Sequence, residues 1–215
     1  MRKSIAIIIC LLVLFCFAVS VQANNKPQKP KVHTFTFHPH PADMGDLDHG
    51  SYYDWRIQWH VPTGQTIVGA VLQIDNIQNW KYEPNANWLY THLLDNPPTD
   101  GNKLGKDVWK WSDNQGGGDN WAGQGPLVGV FTDNGHKPQT ITYDLGKLGL
   151  LPTLRDYAKD GVFGFGFDPD CHYYNNGISL TLKTTKAPTP EPGSLAVFGS
   201  GLMGLVAFAA RKRQS

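Results

Sequence analysis

Hydrophobic and polar residues alternate along much of the chain. Residues 53–61 read YDWRIQWHV, so every second side chain is apolar. This period of two is typical of a strand with one buried face. Other short apolar stretches are bounded by Gly, Pro, Asn and Asp. We therefore predict eight strands, at residues 32–37, 53–61, 66–75, 88–94, 127–132, 139–145, 162–167 and 178–182.

One segment between these strands has the features of a short helix. Residues 152–160 start with Pro152, which suits the first helical turn, and Gly161 follows as a stop signal. Eight strands and a single short helix predict an all-β domain. The expected architecture is a two-sheet sandwich, of which the jelly roll is one form.

The two ends of the chain are hydrophobic in a different way. Residues 5–19 form an apolar run after Arg2 and Lys3, and the segment closes with Val21-Gln22-Ala23. A charged start, an apolar middle and small residues at the end are typical of a secretory signal peptide. We predict cleavage by signal peptidase after Ala23, with an uncleaved anchor helix as the alternative.

Near the C-terminus, residues 195–210 are apolar or small without interruption. As a helix this run is roughly 24 Å long, whereas a bilayer core is about 30 Å thick, so it predicts a transmembrane helix of marginal length. Arg211, Lys212 and Arg213 follow directly. Positive charge stays on the cytoplasmic side, so the preceding domain is expected on the outer side of that membrane.

A short motif comes before this apolar run. Pro190, Glu191 and Pro192, then the predicted helix, then the basic end at 211–213, together resemble the PEP-CTERM sorting signal. The resemblance implies an exported protein of a Gram-negative bacterium, usually one that makes exopolysaccharide. It also implies an exosortase that removes the tail near the triplet. The membrane helix would then be a transient inner-membrane anchor, and the final location would be the cell surface or the extracellular matrix.

These signals divide the chain into a signal peptide (1–23), a β-sandwich domain (24–186) and a sorting tail (187–215). The central domain has 14 Lys and Arg and 17 Asp and Glu, a net charge of −3. Because it contains no basic cluster, we do not expect it to bind nucleic acid. All but one of its acidic residues are Asp, which favours turns over helix interiors.

Two acidic loops are candidates for a calcium site, because calcium prefers several oxygen ligands on flexible loops. The candidate ligands are Asp46, Asp48, Asp168, Asp170 and Asn175. The later loop also fits two other interpretations. One is ordinary turn chemistry, and the other is a zinc site that includes Cys171 and His172. Cys171 is the one cysteine outside the predicted signal peptide, so no intrachain disulfide is expected.

Three tryptophans lie beside a glycine-rich segment at residues 114–120. They are Trp109, Trp111 and Trp121. Exposed indole rings next to Asn, Asp and Gln suit the binding of sugars, because the ring stacks on the sugar while polar groups bind its hydroxyls. The alternative is that the rings pack under the loop.

Catalytic motifs are not apparent. No serine lies in a Gly-x-Ser-x-Gly motif. A glycosidase needs a pair of catalytic carboxyl groups, but no pair can be recognised as catalytic among the many Asp residues. We therefore predict a non-enzymatic surface or matrix protein, with binding of exopolysaccharide as the more specific hypothesis. A surface-associated polysaccharide hydrolase or lyase is the alternative.

Overall fold

The computed structural model describes residues 30–80, 87–113, 117–133 and 137–188. The chain divides into two units, Met1–Lys31 and Val32–Ser215, and every element described below lies in the second. The elements are β1 (Val32–Phe37), β2 (Ser51–Gln58), β3 (Gln65–Asn79), β4 (Trp88–Asp95), β5 (Asn102–Lys103), β6 (Val108–Ser112), β7 (Leu127–Thr132), β8 (Gln139–Asp144), α1 (Leu151–Tyr157), β9 (Val162–Pro169), β10 (Tyr173–Tyr174) and β11 (Gly177–Lys186).

The strands form two sheets in which the neighbouring strands are antiparallel. The first has five strands, in the order β1-β11-β3, with β8 and β10 both paired to β3. The second has six, in the order β5-β6-β2-β9-β4-β7. The predicted all-β architecture with two sheets and one short helix is confirmed. Which form of sandwich it is, jelly roll or other, stays a prediction.

The core lies between the two sheets. On β9, Phe163, Phe165 and Phe167 are buried, and they belong to the same hydrophobic cluster as Leu72 and Ile74 of β3. Burying a side chain of this size contributes about 1.5–3 kcal/mol. The apolar positions of the sequence pattern therefore face this core, and the positions between them lie on the outer faces of the sheets.

All eight predicted strands are present, with ends that differ by a few residues. Three more strands, β5, β6 and β10, were not predicted. Two of them contain only two residues, so they have no periodicity to detect. The strand β6 has the sequence VWKWS and does alternate, but it is only five residues long and follows a charged segment. Its extended conformation is stabilised by pairing with β2 along residues 51–55.

The helix α1 spans Leu151–Tyr157 and is shorter than the predicted segment. Pro152 lies in its first turn and Leu154 packs into the core. The chain then turns through Gly161, which has φ of +86°. Such a value favours glycine.

The predicted signal peptide (1–23) and membrane helix (195–210) lie outside the described residues. Within the part of the chain that is described, no helix has the length and apolar character needed to cross a membrane.

Candidate functional site

The side of the six-stranded sheet that points away from the core, here called the outer face, carries most of the polar and aromatic candidates. Tyr52, Asp54 and Arg56 of β2 alternate with core residues and point to this side. The register places Asp54 opposite both Trp109 of β6 and Gly166 of β9. By the same register, the outer face also includes Tyr90, His92, Trp111, Gly164 and Asp168.

The two glycines of β9 make room for chain segments that cross the outer face. A Cβ atom on residue 166 would lie 2.7 Å from the indole ring of Trp121. One on residue 164 would lie 2.0 Å from the carbonyl oxygen of Trp55 and 2.7 Å from Cγ of Pro97. These distances are far below normal contact. The glycines therefore allow the segments that contain Pro97 and Trp121 to pack directly on the sheet.

The three tryptophans predicted to bind sugar are in different environments. Trp121 is 1% exposed, and its Nε1 donates a hydrogen bond to the carbonyl oxygen of Tyr53. Trp111 is half-buried: it stacks on Tyr52 with ring centroids 5.4 Å apart and meets Trp121 edge to face. Because its ring is buried, Trp121 has no free face for a sugar. It packs under its loop, which is the alternative that the sequence left open.

Trp109, in contrast, lines a groove at the edge of the sandwich. The strand β6 pairs with β2 only as far as Trp55, whereas β2 continues to Gln58. The space beyond the N-terminal end of β6, next to the last residues of β2, is a cavity of about 850 Å³. This volume is within the usual range for small-ligand sites. We call it the edge groove. Its lining residues include His38, Arg56, Thr99, Lys103, Lys106 and Trp109.

One wall of the edge groove is held by a close approach of two backbone segments. The carbonyl oxygen of His40 accepts a hydrogen bond from the N–H of Lys106 at 3.1 Å. A Cβ atom on Gly105 would lie 1.7 Å from that oxygen, so only glycine fits there. Asp107 accepts from the backbone N–H of His40 at 2.8 Å, and its other oxygen lies 3.1 Å from the ring Nδ1. These contacts fix the position of Lys106 and Asp107 at the groove.

Asp54 is an unusual group on the outer face. It is fully buried, and neither carboxyl oxygen has a hydrogen-bond partner. Burial raises the pKa of Asp54 to about 8, and the charge of Arg56 opposes this increase only in part. Asp54 is therefore mainly protonated at neutral pH. It was not among the residues singled out from the sequence, although an Asp in the middle of an alternating strand is the signal that could have found it.

Asp168 and Asp170 both lie next to the loop that carries Trp121. Asp168 accepts a hydrogen bond from the N–H of Asn120, and Asp170 accepts one from the N–H of Gly117 at 2.9 Å. Burial raises the pKa of Asp168 to about 6, and the charges of Asp113 and Asp170 add to this effect. Burial also raises the pKa of Asp170. Several carboxyl groups thus repel one another at this end of the sheet.

His92 completes the polar groups beneath the same loop. Its Nδ1 lies 3.0 Å from the carbonyl oxygen of Gly125, and its Nε2 lies 2.8 Å from a carboxyl oxygen of Asp119. Both ring nitrogens therefore contact oxygen atoms of the same loop. Asp119 also accepts from the N–H of Trp121. His92 therefore ties the loop to the sheet.

The residues predicted as calcium ligands fall into two groups. Leu47 and Tyr173 exchange backbone hydrogen bonds of 3.1 and 2.8 Å, so the two predicted loops do meet. At this place Asn175 bonds the backbone at Asp43 and Gly177, and Asp48 lies 3.7 Å from the ring of His172.

The other predicted calcium ligands, Asp168 and Asp170, accept hydrogen bonds from the loop that carries Trp121 instead. The backbone carbonyl oxygen of Asp46 accepts a hydrogen bond from the hydroxyl group of Tyr53. Among residues 30–80, 87–113, 117–133 and 137–188, no group of three or more His, Cys, Asp or Glu side chains is arranged to hold a metal ion. Cys171, named in the zinc interpretation, is buried. Calcium and zinc binding stay predictions.

Comparison with known families identifies the C-terminal segment. Residues 188–213 match the family model described as "PEP-CTERM protein-sorting motif". The resemblance based on Pro190, Glu191 and Pro192 is thereby confirmed. The motif indicates a protein that is exported, sorted to the cell surface and processed by an exosortase. No family match covers the domain that precedes the motif.

Other comparisons add little. A comparison with curated proteins finds no match. Eight chains of solved structures match. One comes from "The Structure of Tomato Aspermy Virus by X-Ray Crystallography", with 11% sequence identity and a TM-score of 0.27, over 84% of this chain and 96% of that chain. A likeness at this TM-score supports no conclusion about fold or function.

Proposed function

We propose that this protein is a non-enzymatic component of the cell surface or extracellular matrix that binds carbohydrate through the edge groove. The observation that carries the proposal is the position of Trp109, which lines the groove next to polar side chains from three other segments. An indole ring at the side of such a cavity offers a flat apolar surface to the C–H face of a sugar. Polar groups such as Thr99 and Lys103 are available for its hydroxyls.

The sorting motif supports the same proposal, because it indicates export and sorting to the cell surface, where a surface polysaccharide would be within reach of the domain. In this proposal the tail, with Arg211, Lys212 and Arg213 on the cytoplasmic side, anchors the chain in the inner membrane only until the exosortase removes it. The ligand would then be the exopolysaccharide of the producing cell.

The arrangement of the acidic residues supports binding over catalysis. A polysaccharide hydrolase needs two carboxyl groups that reach the sugar from opposite sides. Asp54 and Asp168 have the strongly raised pKa values that a catalytic acid requires. Both are fully buried, however, and neither lines the edge groove. A hydrolase or lyase remains the alternative that the following experiment tests.

The test is the binding of oligosaccharides to the full chain, purified from cells in mild detergent and studied by titration calorimetry. We expect Trp109→Ala to weaken binding by about tenfold or more, as expected for a residue that dominates a contact. Trp80→Ala is the matched control, because Trp80 is 56% exposed and lies outside the groove. Equal binding by Trp109→Ala and the unchanged chain would refute the proposal. Release of reducing ends from the polysaccharide by the unchanged chain would favour the enzyme.

A further inference from the structure

The edge groove has more positive than negative charge. Arg56, Lys103 and Lys106 line it, and Asp107 is the one acid among its lining residues. The carboxylate of Asp107 is already engaged by the backbone and the ring of His40. In the part of the chain that the structure describes, none of the salt bridges includes any of the three cations. Their charges are therefore available to a ligand.

Each of the three cations is held next to the groove by a specific contact. The guanidinium of Arg56 donates to the carbonyl oxygen of Pro97 through one of its nitrogens, which leaves other N–H groups to bind a ligand. The ammonium group of Lys103 lies 5.3 Å from the ring centroid of Trp109. Lys106 is positioned through its backbone bond to His40.

The acidic groups near Arg56 do not cancel its charge. Asp54 lies on the same strand, and because burial raises the pKa of Asp54 to about 8 it is mainly neutral at pH 7. Asp100, the other acid that acts on Asp54, is exposed to solvent and is not among the residues that line the groove. At the opposite wall, His38 directs its Nδ1 to the carbonyl oxygen of Ile178.

We propose that the edge groove binds an acidic saccharide, with the sugar ring against Trp109 and its carboxylate among Arg56, Lys103 and Lys106. This inference rests on the proposed function, and it adds the chemical class of the ligand. A guanidinium and two ammonium groups match a carboxylate in charge, and the guanidinium matches it in geometry as well. The adjacent indole distinguishes a uronate from a small inorganic anion, which has no apolar face to stack.

The experiment compares three probes by titration calorimetry with the full chain in mild detergent. They are a galacturonate hexamer, a neutral maltohexaose and inorganic phosphate. We expect the galacturonate hexamer to bind about tenfold or more tightly than maltohexaose, and its affinity to fall as salt is raised. Phosphate at millimolar concentration should not displace it.

Charge removal tests which residues are responsible. The double variant Lys103→Gln with Lys106→Gln should weaken binding of the galacturonate hexamer about tenfold or more, and leave maltohexaose within about twofold. The matched control is Lys147→Gln with Lys186→Gln, which removes the same charge from exposed sites outside the groove. It should leave both affinities within about twofold. All these lysines are exposed, so the variants are expected to fold.

The outcomes separate this inference from the proposed function. If both hexamers bind equally and Trp109→Ala abolishes both, the groove binds sugar without a charge preference and only the inference is wrong. If phosphate displaces the galacturonate hexamer and Trp109→Ala has no effect, the groove is a simple anion site and both are wrong. Equal losses in the two double variants would show that net charge, and not the groove, attracts the ligand.

Discussion

Trp121 and Tyr53 are joined by a hydrogen bond of 3.1 Å, from the indole nitrogen of one to the backbone carbonyl oxygen of the other. Tyr53 is a core residue on β2, so the bond fixes the indole ring against the outer face of the sheet at Gly166. The loop around Trp121 is thus a packed part of the domain. Its stability depends on the small size of residue 166.

We predict that Gly166→Ala destabilises the domain by about 1–3 kcal/mol, the usual cost of overpacking a filled site. The added methyl group would meet the ring of Trp121 at 2.7 Å. Denaturant unfolding, followed by tryptophan fluorescence, measures the change. Gly50→Ala is the control, since a Cβ atom there has no neighbour within 4 Å. Equal stability of the two variants would mean that the loop can move off the sheet without cost.

We predict that Asp54→Asn increases the free energy of unfolding at pH 7 by at least about 1 kcal/mol. In the unfolded chain Asp54 ionises near its ordinary pKa of 3.8, whereas in the folded chain it keeps its proton up to about pH 8. Stability is therefore lost as the pH rises from about 4 to about 8. Asp168 adds a loss of the same sign between about pH 4 and pH 6.

The pH dependence provides the internal control for Asp54→Asn. At about pH 3 the Asp54 carboxyl group is largely protonated in both the folded and the unfolded chain, so the gain should largely disappear. Asp156→Asn, at an exposed position, should show no such trend. Destabilisation by Asp54→Asn at pH 7 would indicate that the carboxylate has a partner when ionised.

We predict that calcium raises the melting temperature of the full chain and that Asp168→Asn removes this increase. A divalent cation would relieve the repulsion between Asp113, Asp168 and Asp170, and one oxygen of Asp168 has no hydrogen-bond partner. Thermal melts with calcium and with chelator measure the effect, and Asp156→Asn should behave like the unchanged chain. An identical melting temperature with calcium and with chelator would exclude a calcium site that stabilises the fold.

We predict that alanine at Pro190, Glu191 and Pro192 together prevents removal of the sorting tail. The triplet lies within the matched motif, residues 188–213, and is the part that an exosortase would recognise. The mass of the protein recovered from its native host should then include residues 195–215. Thr189→Ala, one residue before the triplet, should be processed normally. A variant with the same mass as the unchanged protein would show that the triplet is not required.

The strands could be predicted because their alternation reflects burial on one face. Tyr53, Trp55 and Ile57 are core residues, and their spacing is visible in the sequence. The strand β6 could not be recognised with the same ease, because five residues provide little periodicity and its conformation depends on pairing with β2.

The candidate site was only partly predictable. Trp109 was named from its sequence surroundings, and Lys103 and Lys106 lie six and three residues before it, but Arg56 and His38 come from distant segments that meet it only in the folded chain. The burial of Trp121 depends on a glycine more than 40 residues later in the chain. Such contacts are set by the pairing of β2 with β6 and β9, which no local pattern reveals.

The pairing of β11 has a mechanical consequence for an anchored protein. This strand ends at Lys186, two residues before the matched sorting motif begins, and it is bonded to β1 on one side and β3 on the other. Inter-strand hydrogen bonds run perpendicular to the strands. A pull on the C-terminal end of β11 along the axis of that strand therefore loads both ladders in shear, so that many bonds share the force instead of breaking one after another.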